Sequence, residues 1–150
     1  MNIAELLTRD SILLHVPAGS QRQALQQIAA HASQMTEIRE RTLLDGLVER
    51  ERLGSTAVGD GVAIPHARFA GLNKVYGFFI RLQEGVEFDA PDDKKVDLIF
   101  ALLAPESANA EHLKVLARIS RILRDENNCS LLRQQDSKDQ IFELLTSEDQ

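Results

Sequence analysis

The chain has 150 residues, of which 43% are hydrophobic and 27% are charged, a composition typical of a folded globular protein and not of a disordered one. Its formal net charge is −6, with one Tyr, six Phe and no Trp, which argues against a nucleic-acid-binding surface built from basic patches or stacking aromatic side chains. The length suits a single domain that spans residues 1–150.

The cysteine content and the amino-terminal segment indicate the compartment. Cys129 is the single cysteine and has no internal disulfide partner, which fits a reducing environment. The segment MNIAELLTRD carries acidic residues where a secretory signal needs a basic stretch and a long apolar run. No apolar run reaches the ~18 residues of a membrane span. We therefore expect a cytoplasmic protein without direct membrane insertion.

The first half of the chain predicts a short helical turn over 3–8, a strand over 11–16 and two amphipathic helices. A Pro-Ala-Gly turn closes the strand, and Ser20 is a good N-cap for a helix that runs to about residue 34. The second helix covers about 39–52, where four apolar residues recur at helical spacing: Leu43, Leu44, Leu47 and Val48.

The second half predicts the remaining strands and a helical carboxyl-terminal region. The segment 96–103 is apolar on both faces after Asp97, which indicates a central strand covered on both sides. Strands interleaved with helices in this way predict a three-layer α/β/α fold around a mixed sheet. The other predicted strands are 62–64, 75–82 and a short one at 86–88, and the helices are about 109–123, 129–135 and 137–146.

Two histidines follow predicted strands, at the sheet edge where open α/β folds place their sites. Pro65 fixes its own φ and has no N–H, so we expect the strand over 62–64 to end there and the chain to turn outward with His66. The local pattern fits both a functional histidine and an ordinary loop histidine after an edge strand.

His112 lies in the first turn of the helix over 109–123, on the same face as Ile119. The positive end of the helix dipole favours a neutral imidazole and attracts an anion. The alternative is a core-edge histidine without a chemical role. Another face of this helix is basic, which indicates either a solvated surface or a surface for an acidic partner: Lys114, Arg118 and Arg121.

Several chemistries lack their motifs. The glycines of 54–61 are not followed by the lysine of a phosphate-binding loop or by the third glycine of a dinucleotide site, and GxSxG, HExxH and cysteine clusters are absent. A metal site from His66, His112 and Asp60 is an alternative. The other two histidines, His15 and His31, are interpreted as structural or surface residues.

The remaining chemistry is that of a histidine nucleophile, since imidazole attacks phosphorus well and needs only positioning and donors for the phosphoryl oxygens. Arg50 is the candidate cation, because it ends the second helix just before the glycine-bearing segment. The run Glu49-Arg50-Glu51-Arg52 also fits a simple solvated charge cluster.

The segment ERERLGSTAVGDGVAIPHA, residues 49–67, resembles the active-site signature of enzyme IIA components of the fructose/mannitol class of the bacterial phosphoenolpyruvate:sugar phosphotransferase system. Within this class, GSTAVGDGVAIPHA is most similar to the nitrogen-regulatory IIA proteins. The strand VDLIFALLAP and the helix EHLKVLARISRIL agree with the family too, so the resemblance covers nearly the whole chain.

The resemblance implies a phosphocarrier with a mainly five-stranded mixed sheet and without a metal or other cofactor. His66 corresponds to the phosphoryl-accepting histidine, His112 to the second active-site histidine and Arg50 to the arginine beside them. The donor is an HPr-like phosphocarrier, itself charged by an enzyme I. The glycines would bring the loop close to the phosphoryl group, and Ser55 and Thr56 are candidate phosphate-binding residues.

The resemblance also implies alternative roles for the phosphorylated protein. A regulator acts on partner proteins according to its phosphorylation state, and the family's targets include potassium transport proteins and sensor kinases. A sugar-specific IIA component instead passes the phosphate to a IIB domain of a permease. We expect the regulator, because the sequence carries no fused IIB, HPr-like or membrane domain. A module that binds partners but has lost phosphotransfer is a third alternative.

Ala67 and Ala57 replace glycines found in many members.

Overall fold

Six strands form one mixed sheet with helices on both of its faces. The computed structural model describes residues 1–147. A one-turn 3-10 helix at Arg9–Ser11 precedes the first strand. The helices are α1 Ile3–Leu6, α2 Gln21–Met35, α3 Glu40–Arg52, α4 Ala110–Arg124, α5 Glu126–Gln134 and α6 Lys138–Thr146. The strands are β1 Ile12–Val16, β2 Ala57–Gly59, β3 Val62–Ala63, β4 His66–Phe69, β5 Tyr76–Val86 and β6 Val96–Pro105.

The sheet is organised around β6. The strand order is β1-β5-β6-β3-β2, and β4 also pairs with β6. β5 runs antiparallel to β6 on one side, whereas β3 and β4 run parallel to it on the other. Every residue from Leu98 to Ala104 is fully buried, which confirms the predicted central strand covered on both faces.

β3 and β4 lie in line along β6. Val62 pairs with Leu98 and His66 pairs with Leu102, so the register does not change between the two short strands. The N–H of Leu102 donates to the Pro65 carbonyl at 2.9 Å, so the pairing also continues at the proline. β3 and β4 therefore share one position in the sheet, and its six strands occupy five positions.

The strand that begins at Val62 ends before Pro65, as expected, but the expectation that the chain turns outward there is wrong. Proline removes one backbone donor, but its carbonyl still accepts from β6, and His66 begins a strand instead of leaving the sheet. His66 is thus held by the ladder of a sheet strand.

Two apolar layers cover the two faces of the sheet. α2 and α3 pack on one face, which receives Ala63, Phe69 and Leu103. α1, α4, α5 and α6 pack on the other, which receives Ile64 and Leu102. Because successive strand residues point to opposite faces, the alternation assigns each residue of β3 and β4 to one of these layers.

The helix predictions are confirmed, with local capping as the reason. The Ser20 side chain accepts from the Gln23 N–H at 3.1 Å at the start of α2, and the Asn109 side chain accepts from the Glu111 N–H at 3.1 Å at the start of α4. α5 begins earlier than predicted because Asp125 caps it. Among residues 1–147, the helices are all too short or too polar to cross a membrane.

One further strand prediction is wrong, and one strand was not predicted. The short strand predicted at 86–88 does not form, because Val86 ends β5 and Phe88 lies in the following loop with its side chain fully buried. The sequence pattern does not predict β2, whose three residues pair antiparallel with β3.

Candidate functional site

His66 stands at the first position of β4 with its ring half-buried. It pairs with Leu102, which faces the α4 layer together with Ile64, so the His66 side chain lies on the α4 side of the sheet. The register of β4 therefore fixes the backbone position of His66 and the face of the sheet on which its imidazole lies.

The tautomer of His66 follows from one hydrogen bond. Nδ1 lies 2.8 Å from the carbonyl oxygen of Ile64. A carbonyl only accepts, so Nδ1–H is the donor, and in the neutral ring Nε2 keeps its lone pair. The ring is held by one nitrogen and presents the other as a nucleophile.

His112 occupies the first turn of α4 and is 5% exposed. Burial first, then the electrostatic influence of His66 and Arg68, lower the pKa of His112, so its imidazole is neutral at pH 7. Its Nδ1 atom is buried and has no hydrogen-bond partner among the described residues. The structure thus places a neutral histidine with an unpaired ring nitrogen close enough to His66 for the two side chains to interact electrostatically.

Arg50 belongs to α3, which packs on the opposite face of the sheet from α4. It lies in the last turn of α3, and its Nη1 donates to the Gly54 carbonyl oxygen at 3.0 Å, which fastens the start of the loop to the helix. No hydrogen bond joins Arg50 to His66 or His112 within residues 1–147, so its predicted role beside the phosphoryl group stays a prediction.

Ser55 and Thr56 already use their hydroxyl groups inside the loop. The Ser55 hydroxyl donates to the Phe88 carbonyl oxygen and accepts from the Ala57 N–H at 3.1 Å. Thr56, 6% exposed, donates both its hydroxyl and its N–H to the carboxylate of Glu51. These bonds shape the loop, and the predicted contacts of the two hydroxyls with phosphate remain untested.

Two important residues of this region are not identified by the sequence pattern. Glu51 belongs by pattern to a solvated charge run, but it binds Thr56 and also accepts from the Gln21 side-chain amide at 3.1 Å. Arg68 lies two residues after His66 in β4, and its charge acts on His112. Strand alternation identifies Arg68 only if the strand is predicted to continue past Pro65.

The remaining histidines lie outside this cluster. His15 is exposed in β1 and pairs with Asp136 at 3.2 Å, and the half-buried His31 packs edge-on against Phe78 with ring centroids 6.0 Å apart. Among residues 1–147 there is no group of three His, Cys, Asp or Glu side chains placed to hold a metal ion.

Comparisons with known proteins agree with the resemblance in the sequence. The family model described as "Phosphoenolpyruvate-dependent sugar phosphotransferase system, EIIA 2" matches residues 5–148. A "Nitrogen regulatory protein" of Bradyrhizobium diazoefficiens is 45% identical over 145 residues, which cover 97% of this chain and 95% of that protein.

Solved structures agree with the fold. Nitrogen regulatory protein IIA-Ntr from Neisseria meningitidis aligns with a TM-score of 0.93 and 38% identity, over 96% of this chain and 99% of that one. IIA mannitol from Escherichia coli aligns with a TM-score of 0.77 and 24% identity, over 93% and 98% of the two chains, a likeness of fold. The predicted α/β/α fold is confirmed.

Proposed function

The chain belongs to the EIIA type 2 family of the phosphoenolpyruvate-dependent sugar phosphotransferase system, and on that basis we propose that it is a cytoplasmic, single-domain phosphocarrier whose His66 accepts a phosphoryl group from an HPr-like carrier. The carrier's phosphohistidine is charged in turn by an enzyme I. The observation that carries this proposal is the hydrogen bond from His66 Nδ1–H to the Ile64 carbonyl, which leaves Nε2 free to attack.

The proposed step is an in-line transfer between two imidazoles. The Nε2 lone pair of His66 attacks the phosphorus, and the P–N bond of the donor breaks with its electron pair returning to the donor ring. The proton on Nδ1 stays in place, so the phosphorylated ring carries a positive charge next to the Ile64 carbonyl oxygen. That oxygen accepts a stronger, charge-assisted hydrogen bond in the product.

His112 and Arg50 are proposed to hold the transferring group. A neutral His112 has one ring N–H to donate to a phosphoryl oxygen, and its lowered pKa keeps it in that form. Arg50 keeps further N–H donors beyond the one directed to Gly54. Ser55 and Thr56 are candidate phosphate ligands, which requires their hydroxyls to exchange their present acceptors for phosphoryl oxygens.

We further propose that the phosphorylation state of His66 regulates other proteins, with potassium transport proteins and sensor kinases as candidate classes. Support comes from the relatives: the protein that is 45% identical carries the name nitrogen regulatory protein, whereas the mannitol component is 24% identical. Transfer from the phosphorylated chain to a IIB domain would instead favour the sugar-specific alternative.

The test is the intact mass after incubation with phosphoenolpyruvate, enzyme I and an HPr-type carrier. The expected result is an acid-labile gain of one phosphate on the wild type and no gain on His66→Ala. His15→Asn is the matched control, because it removes an exposed histidine and asparagine tolerates the left-handed φ of 56° at that position. It should gain phosphate as the wild type does. A wild type that stays unmodified with competent carriers would overturn the phosphocarrier proposal and leave binding alone.

Ser55→Ala and Thr56→Val test the tentative ligands in the same assay. Phosphorylation rates equal to the wild type for both variants would remove the two hydroxyls from the site.

A further inference from the structure

Arg68 lies on the same face of β4 as His66. His66 and Arg68 pair with Leu102 and Ala104, which both belong to the apolar layer under α4, whereas Ala67 and Phe69 belong to the layer under α2 and α3. Two residues along a strand separate the Cα atoms by about 6.6 Å. A long arginine side chain at this position can therefore reach the space next to the His66 ring.

The Arg68 guanidinium is uncommitted. Arg68 is exposed, and within residues 1–147 it forms neither a hydrogen bond nor an ion pair. Three other arginines near the sheet are engaged: Arg50 with Gly54, Arg81 with Asp136 and Arg133 with Asp97. All five N–H donors of Arg68 are thus available to a ligand.

The charge of Arg68 also acts on His112. The charge of Arg68 contributes, after burial and His66, to the lowered pKa of His112. Arg68, His66 and His112 are therefore close enough to influence one another, and each comes from an element whose position is fixed by β6 or by its packing on it.

We propose that Arg68 is a second cation of the site, besides Arg50, and binds the phosphoryl oxygens on His66 as a charge-assisted, bidentate ligand. This assignment rests on the proposed function of His66 and adds a residue to it. A phosphoryl group on an imidazole carries up to two negative charges, and the planar arginine fork matches two of its oxygens. One N–H of Arg50 is committed to Gly54, whereas Arg68 brings a second positive charge and a fully free guanidinium on the same face of the sheet as His66.

The experiment compares the phosphorylated wild type with Arg68→Gln and Arg68→Lys, and uses Arg121→Gln as the matched control. Arg121 is exposed on α4 and has no partner within residues 1–147. The readouts are the pKa of the phosphoryl group, from the pH dependence of its ³¹P NMR shift, and the rate of transfer from the carrier. Both start from protein whose phosphate content is known by mass.

Arg68→Gln should raise the phosphoryl pKa and slow the transfer about tenfold or more. Arg68→Lys should restore part of both, because it keeps the charge but loses the fork. Arg121→Gln should match the wild type.

The outcomes separate the inference from the function on which it rests. No phosphate on the wild type would overturn both. A phosphorylated Arg68→Gln whose phosphoryl group titrates as the wild type does would overturn the inference alone. The same holds if transfer is slow while the phosphoryl pKa is unmoved, because Arg68 would then contact the carrier and not the phosphoryl group.

Discussion

Replacing Glu51 tests whether its carboxylate fixes the loop that precedes the candidate site. Glu51→Ala removes the acceptor of the Thr56 N–H at 3.1 Å, of the Thr56 hydroxyl and of the Gln21 amide at 3.1 Å. Thr56 is 6% exposed, so water cannot readily replace the lost acceptor for both of its donors.

The expected loss of stability follows from the two Thr56 donors that are left without an acceptor. A buried donor without a partner costs about 1–3 kcal/mol, and the contributions are not fully additive. The Gln21 amide is better able to find water and adds little. We expect Glu51→Ala to lower the free energy of unfolding by about 2–4 kcal/mol, whereas Glu51→Gln keeps one acceptor oxygen and should lose about half of that.

Urea unfolding measures the effect, with Glu49→Ala as the matched control. Glu49 is exposed, and its pair with Arg52 at 3.4 Å is a surface contact worth at most about 1 kcal/mol. A change in the urea midpoint without a change in the slope shows altered stability. If Glu51→Ala and Glu49→Ala shift the midpoint equally, the reasoning about the loop is refuted.

Two further predictions concern His112 and Gly46. Burial, His66 and Arg68 lower the pKa of His112 below its ordinary value of 6.5, so its stabilising contribution is present above pH 6.5 and is lost as the pH falls through the lowered pKa. NMR titration should give a midpoint below 6.5 that Arg68→Gln raises. A midpoint at or above 6.5 contradicts this. Gly46→Ala gains about 1 kcal/mol of helix propensity, but its Cβ would collide with Cε1 of buried Phe69, and such overpacking costs about 1–3 kcal/mol. The variant should therefore unfold at a lower urea concentration than the wild type. A higher urea midpoint contradicts this prediction.

The sequence was most informative where the signal is local. Ser20 and Asn109 predicted the starts of α2 and α4 because an N-cap depends only on the next three residues. The two-faced apolar run of β6 likewise predicted a central strand, since burial on both sides needs no knowledge of the partners.

The features that the sequence did not predict depend on distant partners. Pro65 is a strand breaker by local rules, and the continued pairing becomes visible only when β6 is placed beside it. Arg68 was not predicted for the same reason, because the rule that alternate strand residues share a face applies only within a strand. Glu51 sits in a charge run whose pattern does not distinguish a solvated carboxylate from one that binds Thr56.

The unbroken register of β3 and β4 along β6 makes the backbone position of His66 independent of the protein surface. The main chain of His66 is anchored in the most deeply buried part of the fold, so the origin of the reactive ring does not depend on any surface loop. Substitutions at exposed residues of the surrounding helices can then change the surface around the site without moving the imidazole. A scaffold built in this way lets the surface diverge over evolutionary time while the proposed acceptor atom stays in place.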